Sequence, residues 1–429
     1  MGLMPVRGVL KTIEVADIDL KKGGGAYRAY KMLIARSSTD VECRSILMSF
    51  TRDTFRDILG TCPPQGIAYV KKLLAIASKG FLSITLRSLP SRLSLDIRLH
   101  KPVNDADVVV CHMGDIICMK IALEISEQTG SKSVTILQLP SFFNDSTRIS
   151  KIIDSFLLFH KLQAMAESSL KDLLNSSYGV MDTLFLKSAM RYLTPPLLGG
   201  ILRRFDLVLA VSRSIPVEMG WEDRVVAMDP GVGFDEEELN YMRSLRLKRP
   251  EKPWLYAVFP ARPAPVKGLA DLLIAVKIIA RSKRDFKIAI SASERDRIGL
   301  SIIKIAKKLE ILDNIVLTGY IPQRGDLLSF RAGAKLSLYP SHMDSYSYAV
   351  AESLLLGTPV VAYDIPALRI NYGNLNGVYL VKEGDIEALA QKALEILDAK
   401  NIDVDEPKVK LFSEIAIEEK KILEKYLKI

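Results

Sequence analysis

Residues 335–364 read KLSLYPSHMDSYSYAVAESLLLGTPVVAYD. The order of residue types in this stretch decides the fold. A strand expected over 335–340 (KLSLYP) stops at Pro340, and a polar loop follows that carries Asp344. Ala349 to Leu356 is apolar apart from Ser353 and Glu352, which predicts a helix over 347–356. Gly357-Thr358-Pro359 closes that helix and starts a second apolar strand, 359–364. The second strand is continuously apolar rather than alternating, the mark of a strand covered on both faces of a parallel sheet.

The pattern repeats on either side. Strands are expected at 254–260, 286–291 and 315–319, and helices at 268–282, 296–310, 324–332 and 385–398. The first half carries similar runs at 11–17, 43–50, 81–87, 107–112, 133–139 and 206–212. Strand–helix alternation implies right-handed βαβ units, hence an α/β chain of doubly wound, Rossmann-like sheets. A stretch rich in Pro, Gly and charge over 229–253 marks the joint between two domains. The expected organisation is an N-terminal Rossmann-like domain over 1–235, a linker over 236–253, and a C-terminal Rossmann-like domain over 254–404. Residues 405–429 form a final helix that can return to the first domain. Two such domains would place a central cleft between the carboxyl ends of their sheets. One segment, 150–204, fits the alternation poorly. It is helical by periodicity, rich in Leu, Ile, Phe and Met, and carries Lys171, Lys187, Arg191, Arg203 and Arg204. It reads either as a helical layer on the first sheet or as an amphipathic contact with an anionic membrane surface.

Composition narrows the chemistry. The chain has 429 residues, 48% hydrophobic and 25% charged, which is ordinary for a globular protein and excludes a disordered or fibrous one. Lys and Arg number 59 against 50 Asp and Glu, and the net of +9 favours anionic partners. No run is long and apolar enough for a membrane span, and the first residues lack the pattern of a secretory signal. The four cysteines form no C-x-x-C pair, and the four histidines have no ligand spacing. The expectation is a cytoplasmic protein with no metal site. No basic–aromatic stripe or helix-turn-helix pattern points to nucleic acid.

Three clusters carry chemistry. Gly23-Gly24-Gly25 stands between a strand and a helix, where Gly24 and Gly25 would let a substrate approach the backbone. Arg262 and Lys267 lie in one short loop after strand 254–260, at the end of a parallel strand where α/β ligands bind. Two cations there can clamp a diphosphate. Asp344 and Glu352 form an acidic pair across a loop and helix start, and Glu352, which interrupts an apolar run, would be costly to bury without a hydrogen-bonding partner such as a ribose diol.

The stretch PSHMDSYSYAVAESLLLGTPVVAYD resembles the nucleotide-sugar signature of retaining glycosyltransferases of family 4, which have the GT-B fold. Their acidic pair is spaced E-x7-E within PS-x-x-E-x-F-G. Arg262…Lys267-Gly268 is similar to their R-x4-K-G pair. The segment 314–322, NIVLTGYIP, looks like their strand and loop near the nucleobase. The resemblance is strong over 254–398 and looser over 11–235. It implies a glycosyltransferase that moves a hexose from a UDP- or GDP-activated donor to a glycan or lipid-linked acceptor with retention of configuration. The nucleotide sugar would be a co-substrate, with no separate cofactor. Arg262 and Lys267 would meet the diphosphate, Asp344 the sugar and Glu352 the ribose. The amides of Ser345, Tyr346 and Ser347 would line the phosphate. Gln138 stands where the family often has His, and His112, at the end of the preceding strand, is a possible substitute. The first acid is Asp344 rather than Glu, and Ser291-Ala292-Ser293 replaces a glycine-rich loop. Two other readings stay open: an epimerase or hydrolase of the same fold, and a non-catalytic subunit binding glycan or a partner protein.

Overall fold

The computed structural model describes residues 10–16, 25–37, 39, 41–47, 82–89, 92–99, 106–112, 114, 116–166, 194–248 and 255–428. The chain divides into two compact units: 1–144 with 192–233 and 410–429, and 145–191 with 234–409.

In chain order the elements begin with β1 (Leu10–Ala16), α1 (Gly25–Ser37) and β2 (Val41–Leu47). Then come β3 (Leu82–Leu89), β4 (Arg92–Leu99), β5 (Val108–Cys111), α2 (Ile116–Thr129) and β6 (Lys132–Leu137). Next is α3 (Ser146–Ala166), which belongs to the second unit. The first unit resumes with α4 (Thr194–Leu202), β7 (Leu207–Ala210), α5 (Ser214–Met219) and β8 (Val226–Ala227). Its main sheet is parallel, in the order β2-β1-β5-β6-β7-β8. Strands β5 and β7 are buried at every residue, as their unbroken apolar runs require. Residues 81–87 are expected to join this sheet. Instead β3 pairs antiparallel with β4 as a separate ribbon, Leu82 opposite Leu99. The alternation of Leu93, Leu95, Ile97 and Leu99 in RLSLDIRL is the signal for that second strand.

The second unit continues with α6 (Glu236–Leu247), β9 (Leu255–Phe259), α7 (Leu269–Ser282), β10 (Ile288–Ile290), α8 (Arg297–Leu309) and β11 (Ile315–Leu317). It closes with α9 (Arg324–Ala332), β12 (Ala334–Tyr339), α10 (Tyr348–Leu355), β13 (Val360–Tyr363), α11 (Pro366–Tyr372), β14 (Val378–Val381) and α12 (Ile386–Asp398). The final helix, α13 (Phe412–Leu427), lies in the first unit. The sheet of the second unit is parallel, in the order β11-β10-β9-β12-β13-β14. This is the Rossmann order, and strand order reverses between β9 and β12. The loops leaving those two strands are therefore the place to look for a ligand site. Local chemistry sets the helix starts. The Asp296 carboxylate accepts from the Gly299 amide at 2.7 Å, and Asp385 caps α12 through Ala388 at 2.9 Å.

Two expectations about organisation need correcting. Residues 236–253 do not behave as a linker throughout, because 236–247 form α6. Three glutamates in its first turn suit the helix dipole, and Leu239 and Met242, three apart, bury one face. Nor is 150–204 one layer of the first domain. In α3, Ile149, Ile152, Ile153, Phe159 and Leu162 are buried, and the helix packs on α7 and α8 of the second unit. Those apolar residues are spent on packing within the second unit. Of the five basic residues, Lys171, Lys187 and Arg191 lie outside the described residues, while Arg204 pairs with Glu127 and Arg203 sits 5.5 Å from the Trp221 ring centroid. Among the described residues no helix is long and apolar enough to cross a membrane.

Candidate active site

The turn after β9 runs through Arg262 to a single 3₁₀ turn, Pro265–Lys267, and ends at Gly268 with φ +75°. A Cβ at Gly268 would lie 1.8 Å from the Pro340 carbonyl oxygen, so only glycine lets the two loops touch. The main chain seals the contact: the His342 amide donates to the Val266 carbonyl at 2.9 Å.

Held this way, Lys267 reaches the acidic loop. Its Nζ lies 2.8 Å from Asp344 Oδ2, 2.8 Å from the Met343 carbonyl and 3.3 Å from the Tyr339 hydroxyl. Tyr339 also donates to Asp344 Oδ2, and the Ser345 amide donates to Asp344 Oδ1 at 2.9 Å. Burial opposes both charges, yet each outweighs that for the other. Lys267 is held above the ordinary lysine value and Asp344 below the carboxylate range. The Tyr339 phenol is pushed up to about 12 by burial and the neighbouring Asp344, so it remains a donor. Tyr339 was not singled out by the sequence, where it reads as the last core residue of its strand.

Arg262, on the same turn, is exposed, and no hydrogen bond or ion pair joins it to the described residues. The structure thus joins Lys267 to Asp344 and leaves Arg262 in solvent. Ser345 is only partly as expected, because its amide is taken by Asp344. Tyr346 and Ser347 are buried, and their carbonyls accept from the Tyr372 hydroxyl. Ser347 stands where the family motif has glycine, and it caps α10 at φ +61°, ψ +85°. That conformation costs a side-chain-bearing residue about 1 kcal/mol.

Glu352, on α10, is 4% exposed and ionised. Its two carboxylate oxygens accept separately from Arg324 and Arg331 of α9, and these pairs outweigh the penalty of burial. Arg324 also pairs with Glu238 of α6, while Arg331 donates to the Pro260 carbonyl at 2.7 Å, at the end of β9. Glu238 is shifted upward by burial and by the nearby Glu352. The arginines were invisible in sequence because six residues of an ordinary surface-patterned helix lie between them. Their spacing puts both on one helix face, which is a signal only once Glu352 is known to sit opposite.

The first unit holds the remaining candidates. Gly24 lies outside the described residues, and Gly25 opens α1. His112 does not face a substrate. It is fully buried, with Nε2 2.5 Å from Glu14 Oε2, and Glu14 pairs in turn with Arg36. Arg36 and Arg28 both grip Glu419 of α13, and Arg28 Nε donates to the Gly231 carbonyl at 2.6 Å. The histidine belongs to a buried ionic network, because Glu14 on the adjacent strand offers the partner it needs. Gln138 is half-buried and donates to the His112 carbonyl at 2.6 Å.

Two Rossmann-like units, with a cation–carboxylate pair at the switch point of the second, define the class: the chain has the GT-B glycosyltransferase fold. Residues 246–409 match the family described as glycosyl transferases group 1. The 2-deoxystreptamine glucosyltransferase of Streptomyces kanamyceticus is 25% identical over 189 residues, 43% of this chain and 48% of that one. The match therefore spans about half the length of that curated relative. Among solved structures, a glycosyltransferase from Rickettsia africae ESF-5 is similar with a TM-score of 0.54 at 14% identity, over 98% of this chain and 99% of its own. Anabaena Alr3699/HepE in complex with UDP and glucose gives 0.53 at 13%, over 98% and 95%.

Proposed function

We propose that this protein is a glycosyltransferase that takes a hexosyl group from a UDP- or GDP-activated donor and passes it, with retention of anomeric configuration, to a glycan or lipid-linked acceptor. The observation that carries the reading is the Lys267–Asp344 pair at the switch point, held by a glycine that no other residue could replace. The match of 246–409 to the group 1 family supports it, as do the glucosyltransferase activity named for the curated relative and the UDP and glucose bound by the Anabaena protein.

In this reading the bond from the anomeric carbon to the diphosphate oxygen breaks as the acceptor oxygen adds from the same face. The acceptor's proton passes to the departing phosphate. Negative charge grows on the leaving diphosphate, and Lys267 with Arg262 supplies the counter-charge. An ammonium has three donors, and those of Lys267 are occupied by Asp344, Met343 and Tyr339. The 3.3 Å contact to Tyr339 is the longest and is the one a phosphate oxygen would replace. Asp344 meets the sugar hydroxyls. Glu352 takes the ribose through the lone pairs left free by the two arginines. The nucleotide sugar is a co-substrate, and no further cofactor enters the proposal. Contact with an anionic membrane would rest on the net charge of +9, since the apolar face of α3 is covered.

Two observations favour a second reading, a non-catalytic subunit of the same fold: both oxygens of Glu352 are already engaged, and Ser347 replaces a glycine. Incubation with a panel of nucleotide sugars, with release of nucleoside diphosphate as the readout, separates the two. Release from one donor, lost in Lys267→Ala, supports transfer. Binding without release under every acceptor tried supports the subunit.

A further inference from the structure

His342 is two residues before Asp344, and the donor chemistry proposed above makes no use of it. It is 3% exposed, and both ring nitrogens face carboxylates: Nδ1 lies 2.9 Å from Glu383 Oε1 and Nε2 3.4 Å from Asp271 Oδ2. A neutral imidazole has one donor and one acceptor, so only the imidazolium satisfies both partners. Charged and titratable groups surround it from every side. Asp271, on α7, also accepts from the Tyr363 hydroxyl at 2.8 Å, and the Tyr363 ring is 5.2 Å from the imidazole. Glu383, in the turn after β14, pairs with Arg148 of α3, and Arg148 donates to the His342 carbonyl at 2.7 Å. Asp385 acts on Tyr363 from the start of α12. Lys151, Asp154 and Lys161 of α3 line a cavity of about 400 Å³ beside Asp271 and His342.

The main chain of the same residue reaches the other way. Its amide holds the Val266 carbonyl, next to Lys267, and the carbonyl of Met343, the following residue, accepts from Lys267 Nζ. We infer that His342 is a positioning residue: clamped as an imidazolium between Asp271 and Glu383, it pins loop 340–345 so that Asp344 and the Met343 carbonyl stay on Lys267. This inference rests on the donor reading only for the roles of Lys267 and Asp344.

Burial disfavours the charged ring, but its hydrogen bonds to Asp271 and Glu383 dominate and push its pKa up to about 9. A value raised above the ordinary 6.5 means the contribution is full below pH 6.5 and is lost as pH rises through 9. Lys267 is shifted higher still and Asp344 stays ionised, so neither loses its charge in that window.

The test uses the whole chain without donor. Histidine carbon NMR, assigned by His342→Gln, reports the protonation of this ring among the four. Hydrogen exchange over 340–347, corrected for intrinsic rate, reports the pin. The wild-type resonance should titrate near pH 9, and Asp271→Asn should lower that midpoint by at least one unit. Exchange over 340–347 should rise about tenfold above the midpoint in wild type, and at every pH in His342→Gln. Titration near 6.5, or exchange unchanged across the wild-type midpoint, overturns the inference, and the wild-type measurement needs no variant to fold. Parallel titrations with UDP and with GDP keep the two ideas apart. Loop protection that follows His342 without any nucleotide binding sinks the donor reading and leaves the pin. Binding of either nucleotide with a loop indifferent to the ring does the reverse.

Discussion

Gly268→Ala tests the central contact of the site, because the cost can be worked from geometry. At φ +75° an alanine pays about 1 kcal/mol for the left-handed conformation. Its Cβ would also fall 1.8 Å from the Pro340 oxygen, when real Cβ atoms essentially never come within 3.0 Å of a neighbour. The two loops must part by more than 1 Å. Parting breaks the His342–Val266 hydrogen bond, worth about 1 kcal/mol, and stretches the charge-assisted bonds of Lys267, worth about 1.5–3 kcal/mol. The expected loss is about 3–5 kcal/mol, or a fall of about 2 M in urea midpoint at a slope of about 2 kcal/mol/M. Gly319→Ala is the matched control. It has φ +69° with no atom within 4 Å of the added methyl, so it should cost only the conformational part, about 1 kcal/mol. Urea unfolding of both variants, with UDP titration of each, measures stability and site together. Equal midpoints for the two alanines would refute the claim that contact with Pro340 shapes the site.

Lys267→Ala should cut transfer roughly 10²–10³-fold, while Asp344→Asn lowers transfer but leaves UDP affinity within about threefold, as calorimetry beside a transfer assay will report. Glu352→Gln should weaken UDP by about 1–3 kcal/mol and also lower the urea midpoint, since Arg324 and Arg331 lose their shared counter-charge; identical UDP affinities for this variant and Asp344→Asn would end the proposed division between ribose and sugar. Glu14 ionises at about 2, since Arg36 and His112 outweigh its burial, so the first unit should hold its full share of that stability above about pH 4.5 and lose it as pH falls toward 2; Glu14→Gln should flatten the acid limb of the midpoint-against-pH curve. Ser347→Gly should raise stability by up to about 1 kcal/mol through relief of the positive φ, and a lower midpoint would mean that the buried hydroxyl matters more than the backbone.

Much of this molecule was written locally. The strands at 334–339 and 360–363 and the helix between them follow from one apolar run, one polar loop and one Gly-Thr-Pro stop, because backbone pairing in a buried parallel sheet needs just that pattern. Lys267-Gly268 and Asp344 were also legible, since residues at the ends of parallel strands have few places to go. Three things were not. Helix α6 passed for a linker because its charges outnumber the two residues, Leu239 and Met242, that anchor it. Strand β14 passed unnoticed because an edge strand of four half-buried residues has no long apolar run. Helix α3 showed its amphipathic face plainly, but periodicity names a face and not its partner, and α7 and α8 supply that.

The deeper division lies between residue type and residue company. Sequence alone established a basic, globular α/β chain with cations and carboxylates at strand ends, because composition, hydrophobic period and turn chemistry act over a few neighbouring residues. Only tertiary structure decided that Glu352 faces two arginines, that His112 turns onto Glu14, and that His342 bridges Asp271 and Glu383. Each of those three side chains is buried, and a buried polar or charged group persists only where folding brings a partner within hydrogen-bonding reach. The partners lie 21 to 98 residues away, at separations no local pattern can encode.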